Sequence, residues 1–176
     1  MSSIDTNRSF ISINIAILTI SDSRTLTNDN SGNLLEERIT NFGHKIFDRR
    51  IIADDVPLIK KNILNLSSNK LVDTIITIGG TGLTGRDSTP EAINEIAEKK
   101  IEGFGELFRQ ISFSKIGTST IQSRALGALI KGTYVFALPG STNACKDAWD
   151  NILKFQLDNR YRPCNFIEIM PRLQEK

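Results

Sequence analysis

A short β-branched run at residues 74–78 leads directly into a glycine-rich segment at residues 79–87. Because glycine has no Cβ atom, such a segment can adopt positive φ values and bring backbone N–H groups close to an anion. Thr89 and Pro90 come next, and they predict a helix that starts with an N-cap hydroxyl and has proline at its first position. A loop between a strand end and a helix start commonly binds phosphate. The segment therefore predicts a strand, an anion-binding loop and a helix in that order.

Apolar, strand-like runs alternate with helical patterns along the chain. The predicted strands cover residues 13–20, 44–52, 72–78 and 133–138. Helices are predicted at residues 31–42, 56–66, 90–99, 104–116, 121–130 and 142–157, and residues 160–176 are expected to be mostly extended. This alternation predicts an α/β fold with right-handed crossovers and a mostly parallel sheet covered by helices on both faces.

Each predicted strand ends in a polar or glycine-rich segment. These segments are residues 21–24, 54–55, 79–87 and 139–141. Since the carboxyl ends of parallel strands meet at one edge of a sheet, we expect all four segments to line one crevice. Open α/β sheets bind their ligands in such a crevice.

Length and composition narrow the possible functions. With 176 residues, of which 39% are hydrophobic, the chain fits one domain with one sizeable core. Its 22 basic and 20 acidic residues are spread without basic runs, so nucleic acid is not an expected ligand. The single histidine, His44, disfavours most transition-metal sites and Ser-His-Asp triads. Cys145 and Cys164 lie too far apart for a CxxC motif and are expected to be reduced thiols.

The sequence carries no signal for membrane insertion. Residues 1–12 are polar, and no run of about 18 apolar residues occurs anywhere in the chain. We therefore expect a cytoplasmic protein that does not bind a membrane.

Two known phosphate-binding motifs fit the glycine-rich segment only in part. Gly80, Gly82 and Gly85 have the spacing of the dinucleotide-binding GxGxxG motif, but that motif needs its last glycine inside the helix and an acidic residue about 20 positions later. The P-loop motif starts with a similar spacing, yet Arg86 and Asp87 stand where it requires lysine and a hydroxyl residue. Neither motif is therefore favoured.

Asp87 lies where a carboxylate could hold a cation beside a bound phosphate. Magnesium binds one or two carboxylates together with phosphate oxygens, and Asp54, at the end of another predicted strand, is the natural second ligand. Aspartate is equally common as a turn or helix-cap residue. The residues alone leave both interpretations open.

Several further side chains have two possible roles. Ser141 and Thr142 are expected to start the last helix, where they can cap it, contact a phosphate, or do both. Arg24, Arg109 and Arg124 can pair with phosphate, although a solvated or ion-paired arginine is the commoner case.

Motifs spread over the whole chain resemble the MoaB/MogA family of molybdenum cofactor biosynthesis proteins. They lie at residues 19–24, 29–32, 79–82, 86–87, 89–92, 103–109, 117–124 and 139–142. Residues 108–120 and 162–166 look like the MoaB branch in particular. The resemblance covers a single domain at residues 13–166, which leaves residues 1–12 as a flexible N-terminal segment and residues 167–176 as a C-terminal tail.

The resemblance implies a three-layer α/β/α fold and magnesium-dependent adenylylation of molybdopterin by ATP, with release of pyrophosphate. Asp54 and Asp87 match two acidic positions of that active site and would be both catalytic residues and metal ligands. The substrate-binding and nucleotide-binding candidates are Ser21, Arg24, Gly79, Gly80, Thr81, Gly82, Glu106, Ser112, Ser123, Pro139, Gly140 and Ser141. A homo-oligomer, trimer or hexamer, and a molybdenum insertase partner are also implied.

Two other functions are compatible with parts of the sequence. A non-catalytic protein of the same fold could bind molybdopterin without turnover. A nicotinamide oxidoreductase would instead bind NAD(H), and we expect no such binding.

Overall fold

A six-stranded sheet with helices on both faces forms the centre of the molecule. The computed structural model describes residues 2–173 and 175. The strands are β1 (Ser3–Ile4), β2 (Asn14–Ile20), β3 (Lys45–Ile52), β4 (Thr74–Ile78), β5 (Lys99–Ile101), β6 (Leu126–Ile130), β7 (Thr133–Leu138) and β8 (Tyr161–Arg162). The helices are α1 (Asn30–Phe42), α2 (Val56–Ser67), α3 (Thr89–Ile96), α4 (Glu102–Ile116), α5 (Thr142–Ala148), α6 (Lys154–Gln156) and α7 (Phe166–Ile169).

The sheet has the order β3-β2-β4-β7-β6-β5. Strands β3, β2, β4 and β7 are parallel, whereas β6 and β5 are antiparallel to their neighbours. Strand β4 is buried along its whole length, as expected for a strand covered on both faces. The predicted α/β fold with a mostly parallel sheet is confirmed.

Two hydrophobic cores lie on opposite faces of this sheet. One packs Ile76 of β4 against Leu35 of α1, Phe108 of α4 and Trp149. The other packs β-strand residues against α2 and α3. Because successive side chains of a strand point to opposite faces, Ile75 belongs to this second core. The layers are therefore helix, sheet and helix.

The helix predicted at residues 121–130 is wrong. A 3-10 helix occupies Gly117–Gln122, and residues 126–130 form strand β6, which pairs antiparallel with β7. Lys131 and Gly132, with φ of 50° and 76°, form the two-residue turn of a β-hairpin. Such turns need positive φ at both positions. The tight turn and the pairing with β7 overrode the local helical spacing.

The ends of other predicted elements also differ. The helix expected to reach residue 99 ends at Ile96, and residues 99–101 instead form the edge strand β5. The tail from residue 160 is not mostly extended, because helix α7 follows β8 and Met170–Arg172 form a 3-10 turn. Gln174 and Lys176 lie outside the described residues. Near the other terminus, Ser3–Ile4 pair antiparallel with β8. The long last helix is present, but its middle, Trp149–Leu153, is π-helical.

His44 lies in the core, beside the aromatic rings of Phe10, Phe42 and Trp149. Only 3% of the residue is exposed, and its Nδ1 atom accepts a hydrogen bond from the backbone N–H of Ile13. Burial lowers the pKa of His44 to about 4. The neutral imidazole is therefore the form that the folded protein favours.

We predict that His44 makes the protein less stable as the pH falls from about 6.5 to about 4. The unfolded chain takes up a proton at its ordinary pKa, whereas the folded protein does so only near pH 4. The expected loss in the free energy of unfolding between pH 7 and pH 4 is about 3 kcal/mol. Urea unfolding at several pH values measures it. His44→Asn keeps an acceptor at the δ position, and the slope contributed by His44 should vanish in that variant. Equal pH slopes for the two proteins would contradict the prediction.

Candidate functional site

The loop that follows β4 is held against its neighbours at distances that exclude a side chain. Gly79 and Gly80 have φ of 100° and 63°. A Cβ atom on Gly79 would lie 2.5 Å from the carbonyl oxygen of Ile20, and one on Gly80 would lie 2.3 Å from Oγ1 of Thr89. Glycine is therefore required at both positions, for conformation and for space.

Thr89, the first residue of α3, holds the glycine loop in place through two hydrogen bonds. Its hydroxyl donates a hydrogen bond of 3.0 Å to the carbonyl oxygen of Gly79, and its N–H donates one of 3.0 Å to that of Gly80. The N-cap of α3 is Ser88. The predicted N-cap role of Thr89 is therefore wrong, and Pro90 is the second helical residue, because the Thr89 hydroxyl turns back toward the loop.

Asp54 lies at the loop, on the side of β3. Its Oδ1 atom accepts hydrogen bonds from the N–H and the hydroxyl of Ser88, at 3.2 and 2.5 Å. Its Oδ2 atom lies 2.7 Å from the position that a Cβ atom on Gly80 would take. One carboxylate oxygen thus anchors the start of α3, and the other faces the glycine loop.

Asp87 lies at the other end of the same loop. Its Oδ2 atom accepts hydrogen bonds from the N–H and the hydroxyl of Thr84, at 3.0 and 2.6 Å, and lies 2.6 Å from the position of a Cβ atom on Gly82. The hydroxyl of Thr84 is the main cause that lowers the pKa of Asp87, and Arg124 adds to it. Asp87 is therefore held as a carboxylate.

A cavity of about 400 Å³ opens beside the glycine loop. Most of the predicted binding residues line it, namely Gly79, Gly80, Thr81, Gly82, Ser112, Ser123, Pro139, Gly140 and Ser141, together with Asp87. Phe108, Ile116 and Ala144 give it an apolar wall. The structure therefore brings together residues from the loops after β4 and β7 and from helix α4.

A second cavity of about 430 Å³ adjoins the first. Ser21 and Arg24 line it, and it shares Gly79, Gly140 and Ser141 with the first cavity. Asp29, also in its lining, is 1% exposed and accepts a hydrogen bond of 2.8 Å from the Thr19 hydroxyl. The four predicted strand-end segments thus lie at one edge of the sheet, along two connected cavities and the Asp54 side of the loop.

Glu106 does not join this site. It is exposed and lines a different cavity, with Asn94, Lys100 and Arg109. Arg109 donates to the carbonyl oxygen of Ala125 there. Glu106 therefore lies on a face of α4 different from the one that carries Phe108 and Ser112 into the site.

The arginines and the serine near the site already have protein partners. Arg124 forms an ion pair with Glu91 and donates a hydrogen bond of 2.7 Å to the carbonyl oxygen of Asp87. Arg24 donates to the carbonyl oxygen of Asn28. The hydroxyl of Ser141 caps α5 by accepting from Ala144 N–H at 3.2 Å. The expected cap at Ser141 is thus confirmed, and its contact with a ligand stays a prediction.

The donor set fits magnesium better than a metal held only by protein. Within residues 2–173 and 175, no group of three or more His, Cys, Asp or Glu side chains is arranged around a metal position. Asp54 and Asp87 supply two carboxylates, and magnesium commonly takes its other ligands from phosphate oxygens and water. Asp54 and Asp87 are therefore the candidate carboxylate ligands for such an ion.

Comparison with known proteins shows the family of this chain. A family model described as a probable molybdopterin binding domain matches residues 16–159. The chain belongs to this family. It is 44% identical over 157 residues to molybdenum cofactor biosynthesis protein B of Escherichia coli K12, covering 89% of this chain and 92% of that one. The protein of the same name from Bacillus cereus is 44% identical over 138 residues, covering 78% and 82%.

Solved structures lead to the same family. A crystal structure of molybdenum cofactor biosynthesis protein B superposes with a TM-score of 0.86 at 36% identity, covering 96% of this chain and all of that one. The tungsten cofactor synthesizing protein MoaB from Pyrococcus furiosus gives 0.72 at 31% identity, covering 80% and 90%. The resemblance to the MoaB branch is confirmed. Among the described residues, no helix has the length and apolar composition needed to cross a bilayer.

Sequence reasoning missed the side chains that hold the site in shape. Thr84 and Ser88 bind the two carboxylates, and Thr89 binds the glycine loop. The sequence signal for these contacts was the spacing of the hydroxyl residues, since Thr84 lies three positions before Asp87 and Ser88 one position after it. It could not be used without knowing which carboxylate each hydroxyl reaches.

We predict that Gly80→Ala lowers the free energy of unfolding by about 2 to 4 kcal/mol, because it adds left-handed strain and a clash with Thr89. Gly85→Ala is the matched control, since a Cβ atom there meets nothing within 4 Å. That variant should stay within about 0.5 kcal/mol of the parent. Urea unfolding measures both, and equal losses in the two variants would disprove the steric explanation.

Proposed function

We propose that this protein binds molybdopterin and adenylylates its terminal phosphate with ATP, in a magnesium-dependent reaction that releases pyrophosphate. The observation that carries this proposal is the placement of Asp54 and Asp87 against one glycine loop, with Asp87 in the lining of a cavity large enough for a phosphate-bearing ligand. Membership of a family named for molybdopterin binding supports the choice of substrate.

The loop residues would hold and orient the phosphates. The N–H of Gly79 donates to the carbonyl oxygen of Leu138, so the backbone N–H groups of Gly80 and Thr81 are the ones that can face phosphate oxygens. Ser141, at the start of α5, adds a hydroxyl at the same edge. In phosphoryl-type transfers most of the catalytic effect comes from positioning and charge stabilisation, so a loop of this kind is suited to the task.

Asp54 and Asp87 would supply the carboxylates that hold magnesium. The ion supplies positive charge that stabilises the negative charge developing on the phosphate oxygens. The low pKa of Asp87 keeps this ligand ionised at neutral pH. Both carboxylates are already fixed by Thr84 and Ser88, which limits the reorganisation needed on binding.

The reaction needs no histidine base. A terminal phosphate oxygen of molybdopterin, ionised at neutral pH, attacks the α-phosphorus of ATP. A P–O bond forms there as the bond to the β-phosphate oxygen breaks, and pyrophosphate leaves. His44 lies in the core among aromatic rings and takes no part.

Binding of molybdopterin without turnover is the second candidate function. It is favoured by the structural duties of both carboxylates, since Asp54 anchors Ser88 and Asp87 closes a turn with Thr84. Under this alternative the protein would bind the pterin but release no pyrophosphate from ATP. The trimeric or hexameric state, the insertase partner and the cytoplasmic location belong to either proposal and stay predictions.

Pyrophosphate release distinguishes the two functions. We expect release from ATP only when molybdopterin and magnesium are both present. Asp54→Asn and Asp87→Asn should each lower the rate roughly 10²- to 10³-fold, equivalent to about 2.7 to 4 kcal/mol of barrier. Asparagine keeps the carbonyl oxygen that accepts from Ser88 or Thr84, so the change removes charge and little structure.

Asp55→Asn is the matched control. Asp55 is adjacent to Asp54, and its carboxylate caps α2 by accepting from the N–H of Leu58. Asparagine is an equally good cap, so this variant should keep its rate. Unchanged rates in both active-site variants would refute catalysis by the two carboxylates. Calorimetric binding of molybdopterin without pyrophosphate release would favour the second function.

A further inference from the structure

Three loops at the carboxyl edge of the sheet are joined pairwise by polar side chains. The loop after β2 is joined to the loop after β3, because the Oδ1 atom of Asp22 accepts a hydrogen bond of 3.3 Å from Asp54 N–H. The loop after β3 is joined to the glycine loop through Asp54 and Ser88. The glycine loop returns to the first loop through an ion pair between Arg86 and Asp22. The contacts form a closed ring.

Asp22 is the only member of this ring, among the described contacts, that uses both carboxylate oxygens for two different loops. Oδ1 accepts from the backbone of Asp54, and Oδ2 pairs with Arg86. These partners stand directly at the two proposed magnesium ligands, since one is Asp54 itself and the other is adjacent to Asp87. A movement of Asp22 would therefore change the separation of the two carboxylates.

The ion pair has little value for global stability. The Arg86 side chain is 77% exposed and that of Asp22 is 37% exposed. Exposed pairs of this kind contribute little because water screens them. Inside a ring, however, each contact restrains segments that the other contacts already hold. The expected consequence of the pair is local order at the site.

We propose that Asp22 is a positioning residue that holds Asp54 and the Asp87 turn in register for the reaction. This role rests on the proposed adenylylation. Asp22 binds the backbone N–H of Asp54 and the side chain of Arg86, so it acts through these two residues.

Hydrogen–deuterium exchange tests the positioning without relying on turnover. Asp22→Ala should speed exchange in peptides that cover residues 53–55 and 82–88. Asp22→Asn keeps an oxygen for Asp54 N–H and loses the ion pair, so it should speed exchange at residues 82–88 alone. Unchanged exchange of both peptides in Asp22→Ala would overturn the proposal. Both variants should keep the parent's thermal midpoint.

Steady-state kinetics distinguishes a positioning role of Asp22 from a merely structural one. Asp22→Ala should lower kcat about 10- to 100-fold, as expected for misplaced groups, while KM for ATP changes little. Asp22→Asn should recover part of this loss. A fall in kcat of equal size in both variants, or a change confined to KM, would overturn the proposal.

Glu95→Gln is the matched control, because it removes an exposed ion pair, Lys60–Glu95, between α2 and α3. It should leave exchange at residues 53–55 and 82–88 and the kinetics unchanged. If the parent releases no pyrophosphate but Asp22→Ala still speeds exchange at both segments, adenylylation fails while the positioning of Asp54 by Asp22 stands. If the parent releases pyrophosphate but exchange is unchanged in Asp22→Ala, adenylylation stands while the positioning of Asp54 by Asp22 fails.

Discussion

The close approach of the glycine loop to Ile20 and Thr89 is the constraint on which the site depends. Residues 79 and 80 can pass between these neighbours only because they have no side chain and can adopt positive φ. Hydrogen bonds from Thr89 then hold both carbonyl groups. With the backbone fixed there, the carboxylates on either side are brought to the loop, and backbone N–H groups need no side-chain movement to meet an anion.

Both carboxylates are held by a structural contact beside the loop, although Asp54 faces Gly80 with its second oxygen and Asp87 faces Gly82 with the oxygen that Thr84 binds. Asp54 is held by Ser88, and Asp87 is held by Thr84. Fixed acceptors of this kind suit metal and phosphate chemistry, because their order is established during folding and is not acquired on binding. The same contacts explain why these aspartates look like ordinary turn residues in the sequence.

The sequence allowed the central part of the fold and much of the site to be predicted. Strands such as residues 74–78 are continuous β-branched runs, and the rule that parallel strands end at one edge located the loops correctly. Strand β6 was missed because it forms by pairing with β7 through the turn at Lys131 and Gly132. The spacing of apolar residues within 126–130 carries no signal of that pairing. Glu106 lines a different cavity, because a sequence motif does not reveal which face of α4 points to the glycine loop, and its contact with a ligand stays a prediction.

Asp55 provides a comparison within the chain, because it is an aspartate with a capping role at the start of a helix. Asp55 accepts from Leu58 N–H at the start of α2 and lines neither cavity of the site. Asp87 instead lines the main cavity, whereas Asp54 lines neither cavity and faces the loop with its Oδ2 atom, 2.7 Å from the position of a Cβ atom on Gly80. Close approach to a glycine is not itself a sign of ligand binding, because the N-cap aspartate of α1, Asp29, lies 2.1 Å from the position of a Cβ atom on Gly32. The feature that separates Asp87 from Asp55 is therefore its place in the lining of the main cavity, beside the glycine loop that Asp54 also faces.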